Sequence, residues 1–485
     1  YYCKMILNQC QIKASKKLEL FLDNYIQEKF YILEGSAGTG KSTLITNLLG
    51  MDKYSEKKIV FTATTNKAVS VLEQLSVKKD YSFLTIHKLL NIKRIIDKSG
   101  KESYQTILDN DEKKIKKSKS IFFYDIIIID EVSMISEDIL YSLMKVKDKI
   151  KGKVIFVGDS AQLPPVNEDL SNIFKMDNIN KVVLNEIMRY KGNIVGLANE
   201  IRELVFDNKR KINFSKFKNE DLKIYKDNDK FVNSYLTKIK KIKKIKKIKN
   251  ENEGQLPIII AYTNKRCVEL NKIIRSNLFS NTKERFEVGE LIIFNEYYYL
   301  NKKSFYTSQT AFIKYINIDY VKINTLILPD KFLSLENNII NKNIESVIEL
   351  LRDIRIKIYN ITLNCNSEIY VIHEDNFEIY EELVEKSKKI IKKNNTYIDK
   401  KYRNSNIYRE LSQVIWDYLY EKLIDLFADI NYGYVITTHK SQGSNYDNVF
   451  VDMKNIILKN PKKIESFKCL YTAITRTSKK LYINI

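Results

Sequence analysis

Apolar residues in this chain gather into short unbroken runs, separated by longer stretches that alternate with helical spacing. Phe30 to Leu33, Ile59 to Phe61, Ile126 to Ile129 and Val154 to Val157 are such runs, and Ser42 to Leu49 and Lys67 to Leu72 are amphipathic stretches between them. A strand covered on both faces has no polar side to alternate with, and strands separated by helices pair in parallel. Residues 1–90 and 120–190 therefore predict a doubly wound α/β domain. Residues 91–119 interrupt it: two short strands flank Lys98-Ser99-Gly100-Lys101 and a charged stretch follows from Asp109 to Lys119, which predicts an inserted hairpin. Buried-strand character returns at Pro257 to Tyr262, Tyr434 to Thr437 and Leu481 to Ile483, predicting a second α/β domain over 191–286 and 431–485. Between its halves, residues 287–430 carry short alternating aromatic segments such as Leu291 to Phe294 and Phe312 to Ile316. They predict a β-rich insertion with a helical part near Asn406 to Leu426.

Size agrees with this division, since 485 residues make about three domains at ~150 residues each. A 44% hydrophobic fraction with 11% aromatics excludes a disordered chain. No apolar run approaches the ~18 residues of a spanning helix, so no membrane partner is expected. Lys and Arg number 82 against 60 Asp and Glu, and 82 − 60 leaves +22, the mark of a polyanionic partner. Lys, Ile, Asn and Tyr are plentiful while Gly (13) and Pro (5) are scarce, so AT-rich coding inflates part of that charge. The tract 237–249, with Ile at every third position and Lys between, reads more simply as a solvated surface helix than as a DNA-binding one. Five scattered cysteines offer neither a disulfide framework nor zinc spacing, and no secretory signal is visible. Both suit a reducing, intracellular compartment.

With glycine so scarce, three glycines between residues 35 and 40 stand out. Gly35-Ser36-Ala37-Gly38-Thr39-Gly40-Lys41-Ser42 matches G-x-x-x-x-G-K-[ST] between a strand and a helix. Glycines let successive N–H groups converge on phosphate oxygens, and the helix start adds its positive pole. Gly35, Gly38, Thr39, Gly40, Lys41, Ser42 and Thr43 are thus expected to bind ATP. Lys41 would meet the β- and γ-phosphates, and the Ser42 hydroxyl would hold Mg2+. Asp130 and Glu131 follow the Ile126 to Ile129 run, at the ligand edge of the sheet. Asp130 would share the Mg2+, and Glu131 would take a proton from the attacking water.

Val154 to Val157 lead into Gly158-Asp159-Ser160-Ala161-Gln162-Leu163-Pro164-Pro165-Val166, which resembles the third motif of superfamily 1 helicases, especially the RecD-like branch and its Dda-like members. Phe61 to Ala68, Thr85 to Leu90, Leu184 to Arg189, Thr437 to Gly443 and Tyr471 to Arg476 resemble further motifs in the family's order. Stretches 91–119 and 291–430 match by position rather than sequence. The resemblance implies two RecA-like domains and an SH3-like insertion in the second. It also implies that Gln11 reads the adenine edge, with Gln9 a rival two residues away. Gln162 would sense the γ-phosphate, and Arg189 and Arg476 would act as arginine fingers. Thr64, Thr65, Asn66, His87, Thr437, Thr438 and His439 would hold the nucleic acid. A metal role for the histidines lacks a third ligand, because His373 lies in unrelated surroundings. Tyr104, Phe305 and Tyr306 could stack on bases, but core positions are the simpler expectation.

The function implied is an ATP-driven helicase that travels 5′→3′ on single-stranded DNA as a monomer and opens forks at the 91–119 hairpin. Two rivals remain: an RNA helicase of the same superfamily, and a nucleic-acid-binding ATPase that does not unwind.

Overall fold

The computed structural model describes residues 7–485 except 24, 26–27, 77–79, 97–101, 107–119, 190–191, 208–211, 250–255, 280–283, 324–348, 352–353 and 402–405. The chain divides into two compact units, of which the first comprises Tyr1–Asn91, Thr106–Asn281 and Tyr434–Ile485. It holds two parallel sheets. The first runs Ser82–Thr85, Ile59–Ala63, Ile126–Ile129, Lys153–Gly158, Phe30–Gly35 and Asn180–Leu184, every neighbour parallel. All four Ile126–Ile129 side chains are buried, as a strand sandwiched between helix layers requires. Each contributes roughly 1.5–3 kcal/mol of burial.

The second sheet runs Val435–Thr437, Ile258–Ala261, Tyr446–Asp452, Thr477–Asn484 and Leu222–Tyr225, again all parallel. Its middle strand, Tyr446–Asp452, escapes a search for apolar runs because its first residues are Tyr-Asp-Asn. Both sheets are RecA-like, and in both the loops that could do chemistry leave the carboxyl ends of the strands.

The Lys/Ile tract is the end of the helix Asn228–Lys249. Phe231, Tyr235 and Ile239 are buried, so the helix begins as core rather than as a solvated surface element. The side chains of 243–249 lie outside the described residues.

The second unit joins Ile92–Gln105 to Thr282–Gly433. Its sheet is antiparallel, in the order Glu368–Ile372, Arg355–Leu363, Thr310–Lys322, Leu291–Phe294 and Ile430–Tyr432. Phe305 is buried there, its ring stacked on Phe294 at 4.6 Å, and is therefore core. A 25-residue helix, Phe377–Lys401, precedes Asn406–Leu419 and makes this unit more helical than the alternating segments around it suggest. The inserted strands Ile92–Ile96 and Glu102–Thr106 form a two-stranded sheet of their own. Their connecting turn, the stretch 107–119 and the Tyr104 side chain lie outside the described residues. Among the described residues, no helix is long and apolar enough to cross a membrane.

Candidate nucleotide and nucleic-acid sites

The strand Phe30–Gly35 ends in a loop that only glycine can build. A Cβ on Gly35 would sit 2.8 Å from the Leu184 carbonyl oxygen, and Gly38 and Gly40 adopt φ of 84° and 77°. Gly40 then starts the helix Lys41–Leu49. The Lys41 ammonium donates to the carbonyls of Gly35 (2.7 Å) and Ser36 (3.0 Å), so it lies folded against the loop that it would leave to reach a phosphate. Burial pulls its pKa down, opposed first by Asp159 and then by Asp130 and Glu131. Thr39 is fully buried and ties the loop together through a 2.9 Å bond from its hydroxyl to the Ser36 carbonyl.

Gln11 closes the same loop from the first helix, Gln9–Leu22, donating from Nε2 to the Thr39 carbonyl at 3.0 Å. Its Oε1 accepts from the Asn8 amide (3.1 Å) while Asn8 accepts from the Gln11 amide (2.7 Å). That capping box fixes Gln11 at the loop, whereas Gln9 is exposed.

Asp130 follows the buried isoleucine strand and accepts from the Ser42 hydroxyl at 2.8 Å and from the Glu131 amide at 2.8 Å. Burial and then the neighbouring Glu131 charge raise its carboxyl to about 6, against the pull of the Ser42 bond. Glu131 stands at φ 53°, a left-handed conformation that costs a non-glycine residue roughly 1–2 kcal/mol. The turn swings its half-buried side chain toward the cavity wall instead of onward with the strand. Behind the pair, Gly158 makes room, since a Cβ there would meet Val132 at 2.6 Å.

The second sheet completes this site. Its helix Lys463–Ile474 grips the loop after Lys153–Gly158 along one stripe. Lys468 donates to the Asp169 carbonyl (2.7 Å), and Thr472 accepts from the Leu163 amide (3.3 Å). The fully buried Tyr471 accepts from the Ala37 amide (3.0 Å) and donates to Asp159 (2.8 Å). Arg476, just past the helix, is 3% exposed and donates to Gln162 Oε1 at 3.2 Å. Arg189 donates to the Thr475 carbonyl at 3.4 Å, and its own amide reaches the Gly38 carbonyl at 3.1 Å. Lys41, Asp130, Glu131, Gln162, Arg189 and Arg476 all line one cavity of about 120 Å³. The sequence reading missed Lys468, Tyr471 and Thr472. Their signal was the helical spacing that places them on the same face as Arg476.

The residues expected at nucleic acid also sit at carboxyl ends of strands. Thr65 caps the helix Asn66–Leu75 by accepting from the Ala68 amide at 3.2 Å, which leaves its hydroxyl proton to donate outward. Thr64 points its hydroxyl at the Met134 sulfur, 3.6 Å away. Thr437 caps the short helix Thr438–Ser441 in the same way, and His439 is exposed beside Tyr262, ring centres 6.5 Å apart. His87 is half-buried in the helix Ile86–Leu89, and burial lowers its pKa. Thr438 differs from the rest: it is fully buried and spends its hydroxyl on the Ala261 carbonyl at 3.2 Å, so it shapes the turn instead of facing a strand. The two groups adjoin, because a Cβ on Gly443 would lie 3.5 Å from that of Ala68.

A family model described as an AAA domain matches residues 19–168, and one described as a UvrD-like helicase C-terminal domain matches residues 432–484. An uncharacterized protein of Acanthamoeba polyphaga mimivirus is 31% identical, over 97% of this chain and 98% of its own length. The RecD subunit of the RecBCD enzyme of Buchnera aphidicola is 25% identical over 99% of this chain and 74% of its own. The ATP-dependent DNA helicase dda of Enterobacteria phage T4 is 25% identical over 54% of this chain and 56% of its own.

Proposed function

Because the chain belongs to the RecD-like superfamily 1 helicases, we propose that it hydrolyses ATP to travel 5′→3′ along single-stranded DNA and to open duplex DNA at forks. One observation carries this reading: Arg476 and Arg189 lie against the same cavity as Lys41 and Asp130. A site whose cations come from both RecA-like domains is complete only when the domains are closed. Nucleotide turnover and domain movement are then one event.

Gln11 sits where it can read the base beyond the glycine cradle, and Lys41 swings from the Gly35 and Ser36 carbonyls to the phosphates. Ser42 and Asp130 offer two hard oxygen ligands 2.8 Å apart, which suits Mg2+. When bound there, Mg2+ neutralises charge on the phosphates and draws the Asp130 carboxyl to its ionised form. Glu131 takes the proton of the attacking water. Gln162, bonded to Arg476, reports the state of the γ-phosphate position to the nucleic-acid side. Thr64, Thr65, Asn66 and His87 grip the strand from one domain, and Thr437 and His439 grip it from the other. Closing and reopening move the two grips relative to each other. The hairpin carried by Ile92–Ile96 and Glu102–Thr106 divides the duplex. Because one chain supplies every part, it acts as a monomer, and its free thiols suit an intracellular setting.

Strand displacement on duplexes bearing a 5′ or a 3′ tail tests this reading. Unwinding from the 5′ tail alone is expected. Unwinding from the 3′ tail alone overturns the direction, and a DNA-stimulated ATPase that opens neither overturns the helicase. ATPase stimulation by RNA equal to that by DNA of the same sequence overturns the choice of DNA.

A further inference from the structure

A second cavity, of about 730 Å³, lies at the carboxyl ends of Ile258–Ala261, Tyr446–Asp452, Thr477–Asn484 and Leu222–Tyr225, away from the nucleotide site. Its floor is a closed polar network. Arg266 donates to Asp452 at 2.8 Å, to Glu269 at 2.9 Å and also to Asn228. Asn484 donates to Asp452 at 3.3 Å. The floor's two acids are therefore both satisfied by Arg266. Around them stand Lys226, Lys265, Lys454 and Lys459, all exposed and without an ion pair or hydrogen bond among the described residues. Among the described residues, the lining contains no aromatic side chain and Leu458 is its one apolar member. A ligand here finds positive charge but no surface on which to stack a base.

Hydrogen-bonded neighbours link the cavity to one of the grips. Asn455 in its wall accepts from the Tyr262 amide (2.9 Å) and the Thr263 amide (3.1 Å), and Tyr262 lies beside His439. We propose that this lysine-rimmed cavity is a backbone-phosphate rail that extends the single-stranded DNA path beyond the Thr437–His439 grip. The proposal rests on the helicase reading and deepens it by adding a length of bound strand. Lysines are flexible point charges, so they hold phosphates that slide past; a fixed, bidentate site would favour arginine. The self-satisfied floor also gives a moving strand no directional hydrogen bonds to break.

The experiment compares affinity along a series of oligothymidylates from roughly 6 to 20 nucleotides, using the full chain and a Lys226→Glu/Lys454→Glu/Lys459→Glu variant. The side chains of these lysines have no partner among the described residues, so ATP turnover with the shortest oligonucleotide is expected to stay unchanged. The variant should lose about tenfold in affinity for the longest oligonucleotide and nothing for the shortest. Its salt dependence should be shallower by about 2, from ~0.7 per phosphate over three contacts. A neutral Lys→Gln triple should show about half the loss. A Lys57→Glu/Lys149→Glu/Lys151→Glu control, at the amino edge of the first sheet, removes the same charge from a remote face. The rail is overturned if the cavity variant tracks the parent chain at every length, or if the control loses as much. If the parent chain binds none of the oligonucleotides, the helicase reading itself falls.

Discussion

The carboxyl edges of the two sheets have the same backbone plan and opposite chemistry. At the first, glycines turn the loop after Phe30–Gly35 inside out, and paired carboxylates face it across the Ser42 hydroxyl. At the second, Asn455 takes up the Tyr262 and Thr263 amides, and Thr263 spends its hydroxyl on the helix it caps. Around the second cavity the Tyr262 and Thr263 amides are thus consumed internally, and the exposed lysine side chains there are what meets an anion. Parallel sheets place loops where ligands bind, but the residues of the loop decide whether the edge holds a compact anion or passes a long one.

The sharpest way to break this contrast is to remove what the second domain lends to the first edge. Arg476 is buried against Gln162, and a guanidinium positioned on a transferring phosphoryl group is worth ~10³–10⁵ in rate. Arg476→Ala is expected to lower DNA-stimulated phosphate release by about 10³-fold or more, with less than tenfold change in nucleotide affinity. Turnover within tenfold of the parent chain would show that the first edge works alone.

Asp130 tests the first edge from within. Its carboxyl is raised to about 6 by burial and by Glu131, so the folded chain holds that proton more tightly than the unfolded chain does. The stability this contributes is fully present below the usual carboxylate pKa of about 4. It is lost as pH rises through about 6, leaving the ionised, buried carboxylate as a net cost at neutral pH. Asp130→Asn should therefore stabilise the nucleotide-free protein at pH 8 by on the order of 1–3 kcal/mol and change little at pH 4. The same change should cut hydrolysis by at least ~10²-fold. With Mg2+ limiting, activity of the parent chain should fall as pH drops through about 6, and saturating Mg2+, which favours the ionised carboxylate, should move that fall to lower pH. Thermal melts at the two pH values check the stability claim, and equal destabilisation at both would refute it.

These contrasts were unequally legible in the sequence. The first edge could be read residue by residue, because glycine is scarce here and because isoleucine runs mark strands buried on both faces. The choice between Gln11 and Gln9 needed the structure, since it depends on which side chain the Asn8 capping box turns toward Thr39. Thr438 looked like its neighbours, and only its burial under the Ala261 carbonyl separates it from them. The second edge left almost no trace. Lys226, Lys265 and the pair Lys454 and Lys459 are spread over three segments of a lysine-rich chain, so nothing in their spacing sets them apart from the solvated lysines elsewhere.

Tyr471 joins the two domains most economically, and its removal should have the smallest effect. Its ring is fully buried, and its hydroxyl lies between the Ala37 amide of the glycine loop and the Asp159 carboxylate. Tyr471→Phe keeps the ring and deletes the hydroxyl, removing one hydrogen bond from the Ala37 amide and one from the Asp159 carboxylate in the closed arrangement. Such a loss costs roughly 1–3 kcal/mol, and only when the domains are closed. Opening restores water to both groups. The penalty therefore falls on the closed, hydrolysing state, and the expected result is about a tenfold lower kcat with KM for ATP changed less than about threefold. Tyr471 acts by positioning the loop and Asp159, so a purely structural role predicts something else: a lower melting temperature with kcat per folded molecule unchanged. Steady-state kinetics beside a thermal melt of the same preparation separates the two outcomes, and an unchanged kcat would mean that the hydroxyl does not couple the domains.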